Sequence, residues 1–166
     1  MSDFHFLLEE QIPNLMRYAS ALTRDGDEAG ELVEDTVREA LAHQHLRGGK
    51  AAIRTWLYTT LHDLRGNPFR HISGPLGAAN SDPKAPLTLS QLDRALGQLH
   101  EEQRAVILLI GLEGMSYTDT ATILRISIEM MRSRLARARA DLRRLMGIEA
   151  APHRTVATGR SARAAA

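Results

Sequence analysis

Between residues 127 and 147 six arginines stand against only Glu129 and Asp141, a local balance of +4 in a chain whose formal net charge is +1. A guanidinium keeps its charge at any physiological pH and offers a planar fork of donors, which suits phosphates and the major-groove edge of guanine. On a helical wheel Ile128, Met131, Leu135, Ala138, Leu142 and Met146 fall together, whereas Ser133, Ala136, Arg137, Ala140 and Arg144 take the opposite side with Arg132 at its edge. Small residues between arginines permit close approach to a groove. An arginine-rich helix of any origin can also be a plain solvated face. The residues just before it favour the groove: Ser116 can cap a short helix with Ala121 and Leu124 turned inward, and Arg125, Ile126 and Ser127 form a tight connection to Ile128. Two helices joined by so short a turn have helix-turn-helix spacing.

A second cationic stretch lies at 47–72, where Arg47, Lys50, Arg54, Arg65 and Arg70 oppose Asp63 alone, again +4. A helix over about Ala51 to Leu64 would turn Ile53, Leu57, Thr60 and Leu64 inward and carry Trp56 on its flank. Arg54, Tyr58 and Arg65 would lie outside, with His62 nearby. Cations beside an aromatic ring can hold a strand's backbone while a base stacks. Trp56 and Tyr58 as ordinary packing residues account for the same pattern. Residues 1–46 are acidic ground, three arginines against ten acids, a balance of −7.

Chemistry of bond making finds little support. The chain has no cysteine, which excludes a disulfide framework, thiolate catalysis and Cys-ligated metal. It has no P-loop, G-x-S-x-G or H-E-x-x-H motif, and His43 and His45, two apart on a helix, do not share a face. No enzyme activity, cofactor or metal is expected. The acidic first thirty residues do not read as a signal peptide, and no stretch approaches the roughly 18 apolar residues of a membrane span. A cytoplasmic protein without membrane contact is the expectation.

The elements that must position these arginines are all helices. Phe4 to Arg24 reads as the first, capped by Ser2 or Asp3, with Pro13 implying an early break or a later start. Asp27 could cap a second helix that buries Ala29, Leu32, Val33, Thr36, Ala40 and Leu41 and leaves Glu28, Glu31, Glu34, Asp35 and Glu39 largely outside. "RGGK" at 47–50 ends it, and "GNP" at 66–68 stops or bends the third helix. Residues 71–90 then gather three of the six prolines without an apolar period. A second helical set follows at about 89–97, 101–112, 116–124 and 128–146. The reading is an all-α protein of two small helical domains, 1–72 and 89–147, joined by a flexible linker at 73–88, with a disordered tail at 148–166.

"LTRDGDEAGELVEDTVREALAH", "IRTWLYTTLHDL", "LGQLHEEQRAVILLIGLEGMSYTDTATIL" and "MMRSRLARARADLRRLM", in that order about a linker, resemble an extracytoplasmic-function (group IV) sigma factor of bacterial RNA polymerase, in particular the subgroup tied to the alphaproteobacterial general stress response. The resemblance covers roughly 10–72 and 89–147. It implies a sigma region 2-like first domain for core polymerase and the −10 element, and a region 4-like second domain for the −35 element. Carried onto matching positions, it puts Leu32, Glu34, Asp35 and Arg38 at the β′ coiled coil, and Lys50, Arg54, Trp56, Tyr58 and Arg65 at the −10 strand. It puts Ser116, Arg132, Ser133, Ala136 and Arg137 at the −35 groove. It further implies contact with the β flap and an anti-sigma factor as partner. Arg125 and Glu129 stand where such proteins usually carry glycine, and Met130 where they carry threonine. A sigma-like mimic that sequesters an anti-sigma protein is the alternative; known mimics add a phospho-receiver domain, for which 166 residues leave no room. A plain helix-turn-helix repressor would leave the first domain unexplained.

Overall fold

The computed structural model describes residues 3–43, 49–66 and 89–148, which form seven α-helices and, among the described residues, no strand. The linker expected at 73–88, the tail beyond Ile148, His45 and the glycine pair's Gly48 lie outside the described residues. The first domain comprises α1 (Asp3–Thr23), α2 (Gly26–Ala42) and α3 (Lys50–Arg65). The second comprises α4 (Leu89–Gln98), α5 (Glu101–Ile107), a π-helical turn over Leu108–Leu112, α6 (Tyr117–Ile123) and α7 (Ile128–Leu145).

Local chemistry accounts for most of the boundaries. α1 runs unbroken through Pro13, against the expectation of a break, because Pro13 is exposed and the carbonyl it leaves unbonded can meet water. Asp25, not Asp27, caps α2: its carboxylate accepts from the amides of Asp27 and Glu28, each at 2.9 Å. Both acids of the first turn then lie at the positive end of the helix dipole. Ala29, Leu32, Val33, Thr36 and Ala40 are buried as their spacing requires, but Leu41 is 38% exposed. Ser116 and Ser127 cap α6 and α7 through Asp119 N and Met130 N, and Leu124–Ser127 joins the two helices in the tight turn expected of a helix-turn-helix.

The two domains are docked on each other. Leu8, Leu15, Leu22, Leu32, Leu57 and Leu61 of the first domain share one continuous core with Ala105, Leu108, Leu109, Met115 and Ile123 of the second. A smaller core of Val106, Ala121, Met131 and Leu135 holds the helix-turn-helix to α5. Arg104 of α5 is buried and donates to the carbonyls of Leu96, Gly97 and Leu99, and at 2.7 Å to Leu22 near the end of α1. Desolvation lowers its pKa from the usual arginine value. It stays a cation there because four carbonyls, including those at the negative end of α1, replace its water.

Tyr18 is fully buried between Tyr58, at 5.2 Å between ring centres, and His62, whose Nε2 lies 2.6 Å from the Tyr18 hydroxyl. Burial pushes the Tyr18 hydroxyl pKa upward and lowers that of His62 from 6.5 to about 4; Asp63 opposes the fall and Arg65 adds to it. His62 therefore stays neutral in the folded chain at pH values where the unfolded chain would protonate it. Between pH 6.5 and about 4 the unfolded state binds more protons, so stability that is complete above this window is lost as pH falls through it. The thermal unfolding midpoint of the intact protein is expected to drop more between pH 7 and pH 4.5 than that of His62→Gln, whose side chain does not titrate. Equal slopes in a calorimetric pH series would show that His62 is not the titrating group.

Candidate nucleic-acid interface

α7 presents the arginine face that its wheel demands. Met131, Leu135 and Ala138 are buried, and Arg132, Ser133, Ala136, Arg137 and Ala140 are all exposed. Arg134, at the border, pairs with Glu102 at 3.0 Å, and Arg144 pairs with Asp141 at 3.0 Å. Arg132 and Arg137 make no side-chain hydrogen bond or ion pair with another described residue. Glu129 and Met130 are exposed at the start of the same helix. Ser116 is exposed too, but its hydroxyl is engaged, donating to Asp119 Oδ2 at 2.7 Å while capping α6. The fixed, solvent-facing side chains of α7 follow a short helix and a tight turn, the geometry with which a helix enters a major groove.

The first-domain candidates are placed differently. Tyr58, expected to face outward, is fully buried, and its hydroxyl donates to Glu113 Oε2 at 2.7 Å. That hydrogen bond and desolvation push its pKa far upward. The wheel placed it outside because it treats a helix as having one packed side; α3 is packed by α1 and by the second domain at once. Arg54 is partly buried beside the Tyr58 ring and donates to the Glu113 carbonyl at 2.5 Å and to Oε2 at 3.3 Å. Arg65 bridges Glu28 of α2 and Glu101 of α5, the latter at 3.0 Å. Lys50 pairs with Glu10 of α1. Trp56 is half-buried against the core with its ring centre 6.0 Å from that of His43.

Of the α2 set, Glu34 and Arg38 are exposed, Asp35 is partly so, and Arg38 bridges both acids at 2.7 and 2.6 Å. Leu32 is fully buried. It cannot belong to a docking surface, since its position on the apolar stripe commits it to the core.

Sequence reasoning passed over Glu113, the residue at the centre of this arrangement. Its side chain is wholly buried and receives Arg17 at 2.9 Å, Arg54 and Tyr58. The signal available was a lone carboxylate closing the apolar run 105–112, next to Gly114. The π turn sets its direction: Glu113 N donates to Leu108 O at 3.0 Å and Met115 N to Leu109 O at 2.9 Å, a wider register than an α-helix allows.

The family model described as "Sigma-70, region 4" matches residues 89–142, and "Sigma2 domain of PhyR" matches 8–62. The chain is similar to the ECF RNA polymerase sigma factor EcfG of Rhodopseudomonas palustris, 29% identical with 84% of this chain and 83% of that protein covered. It is also similar to the ECF sigma factor SigL of Mycobacterium tuberculosis, 32% identical with 82% and 85% covered. Among solved structures it resembles the sigma factor RpoE in complex with the anti-sigma factor NepR from Bartonella quintana, with 29% identity, TM-score 0.70, and 90% of this chain and 100% of that chain covered.

Because Tyr58 gives a buried carboxylate one of its donors, Tyr58→Phe is expected to destabilise the protein by about 1.5–3 kcal/mol, the range for a hydrogen bond to a charged group. An exposed hydroxyl would cost nothing measurable in urea unfolding.

Proposed function

The chain belongs to the extracytoplasmic-function RNA polymerase sigma factors, in the alphaproteobacterial stress-response subgroup, and on that premise we propose that it binds core RNA polymerase and directs it to a set of stress promoters. The observation that carries this reading is the exposed Arg132–Arg137 face of α7, left without partners among the described residues behind a capped helix-turn-helix. On this reading Ser116, Arg132, Ser133, Ala136 and Arg137 meet the −35 element. Lys50, Arg54, Trp56, Tyr58 and Arg65 serve the −10 strand. Glu34, Asp35 and Arg38 form the exposed contact with the β′ coiled coil, and the β flap is held by the second domain. The similarity to an RpoE captured with NepR supports a small anti-sigma protein as the inhibitory partner. The action is binding throughout, without a reaction of its own. No described helix is long and apolar enough to cross a membrane.

The match of the first domain to a model described from PhyR gives the mimic reading its one support. A mimic has no use for an unpaired cationic face on α7, and the two readings part on that face. Arg132→Ala and Arg137→Ala are expected to reduce run-off transcription from a −35-dependent promoter while holoenzyme assembly survives. An arginine that reads a base edge should cost about 1–3 kcal/mol at one position of the site, whereas a phosphate contact should weaken all sequences alike and flatten the salt slope by about one. Arg143, about 16 Å from Arg132 at 1.5 Å per residue along the axis, is the control. Unchanged transcription by both variants would make the face a solvated one and favour the mimic.

Polymerase docking has its own test. Asp35→Arg should abolish assembly with core enzyme on a sizing column while leaving the fold intact, because Asp35 is not part of the apolar core. Leu32→Glu would instead unfold the domain, so it does not report on docking.

A further inference from the structure

The residues assigned to the two promoter elements stand in opposite states. Arg132 and Arg137 are exposed, whereas Arg54, Tyr58 and Arg65 are each held by an acid of the second domain: Glu113 for the first two and Glu101 for the third. Glu113 brings a buried negative charge to the place where the proposed −10 strand would bring its phosphates. Two rim contacts hold the domains in that register, and both start from strained backbone. Arg24 and Arg125, with φ of 61° and 53°, are the positive-φ residues other than glycine among those described. Each reaches into the opposite domain with a two-pronged pair: Arg24 onto Asp93 of α4 at 2.9 and 3.0 Å, and Arg125 onto Asp63 of α3 at 2.7 and 2.5 Å. The left-handed conformation is unfavourable for a residue with a Cβ. It is sustained here by contacts that exist only while the domains are docked. Gly97 completes the Arg24 seat, since a Cβ there would lie 2.8 Å from the Arg24 guanidinium carbon. The docked state also leaves Arg54 incompletely bonded: its Nε is buried without a partner.

We propose that the docked arrangement is a self-inhibited state, in which the second domain occupies the first domain's −10 face through Glu113 and the Arg24–Asp93 and Arg125–Asp63 clasps hold it shut, while the −35 face stays open. The inference rests on the sigma-factor reading and concerns this chain in the absence of any partner. The buried cluster is costly to desolvate, and the exposed clasps are worth little individually and are screened by salt. The closed state is therefore poised rather than locked: core polymerase, or the phosphates of a promoter strand, can supply the groups that Glu113, Asp63 and Asp93 now supply. Opening also gives Arg54 Nε access to a partner and lets two arginines leave the left-handed region.

The absence of cysteine makes the intact chain suited to site-directed labelling. Dyes on Glu31→Cys and Arg143→Cys, one on an exposed position of each domain, report the interdomain distance by energy transfer. Run-off transcription with core enzyme reports the concentration of chain needed for half-maximal output. Glu113→Gln is the direct variant. Arg125→Gly, which removes a clasp while relaxing the backbone, and Gly97→Ala, which displaces Arg24 without changing charge, keep the test open if Glu113→Gln fails to fold. With nine-tenths of the chain closed, unlatching should lower the required concentration by about tenfold, together with a longer mean distance. A Cys pair at 63 and 125 joined by a short bis-maleimide should suppress transcription relative to the same protein with its thiols separately blocked. Full transcription by the joined protein, or unlatched variants that open yet need the same concentration as wild type, would overturn the latch alone. No transcription from any form, wild type included, would overturn the sigma reading and the inference with it.

Discussion

A carboxylate with no access to water fixes how the two halves of this molecule meet. Glu113 is surrounded by Arg17, Arg54 and the hydroxyl of Tyr58, donors that come from two helices of the first domain. Burying a lone carboxylate would be prohibitive, and each of its donors would in turn be poorly placed without it. Because the charge sits on the π turn that follows α5, and Arg104 of α5 itself anchors the end of α1, the second domain has one way to rest on the first. The apolar residues of the shared core add area to that pose without selecting it.

The electrostatic layout follows from the same constraint. Acids of the second domain are spent on cations of α1 and α3, and acids of α2 remain outside with Arg38 between two of them. Cations beyond the reach of those acids collect on α7, whose own two acids leave most of its arginines uncompensated. A chain close to neutral overall thus carries one strongly cationic face, one acidic face, and a seam in which the signs are matched pair by pair.

Helix order, the helix-turn-helix and the outward face of α7 were legible in the sequence because their causes are local. Ser116 and Ser127 cap from within three residues, and the Met131–Leu135–Ala138 stripe has a period that no other element disturbs. The docking was not legible. Its determinants pair residues far apart in the chain: Arg17 with Glu113, Arg54 with Glu113, Arg24 with Asp93. Tyr58 shows the cost, since a wheel assigns a hydrophilic tip to water when the helix has a second packed side. Leu32 shows the converse, a residue whose periodicity marked it as core while its resemblance marked it as contact; burial decides for the core. Pro13 misled for a third reason: a helix interior tolerates proline where its unbonded carbonyl faces solvent.

The π turn over Leu108–Leu112 is, in helical terms, one residue too many for the path it covers. Losing any one of those five residues would let the segment close up as ordinary α-helix and turn everything beyond it by about 100° about the axis of α5. The carboxylate would then leave its three donors and the reading helix would aim elsewhere, although every remaining residue kept its own propensity and its neighbours. The extra residue works as a phase setting between two otherwise conventional helical units. Relatives of this chain are thus free to drift in sequence along those five positions, but not in their number.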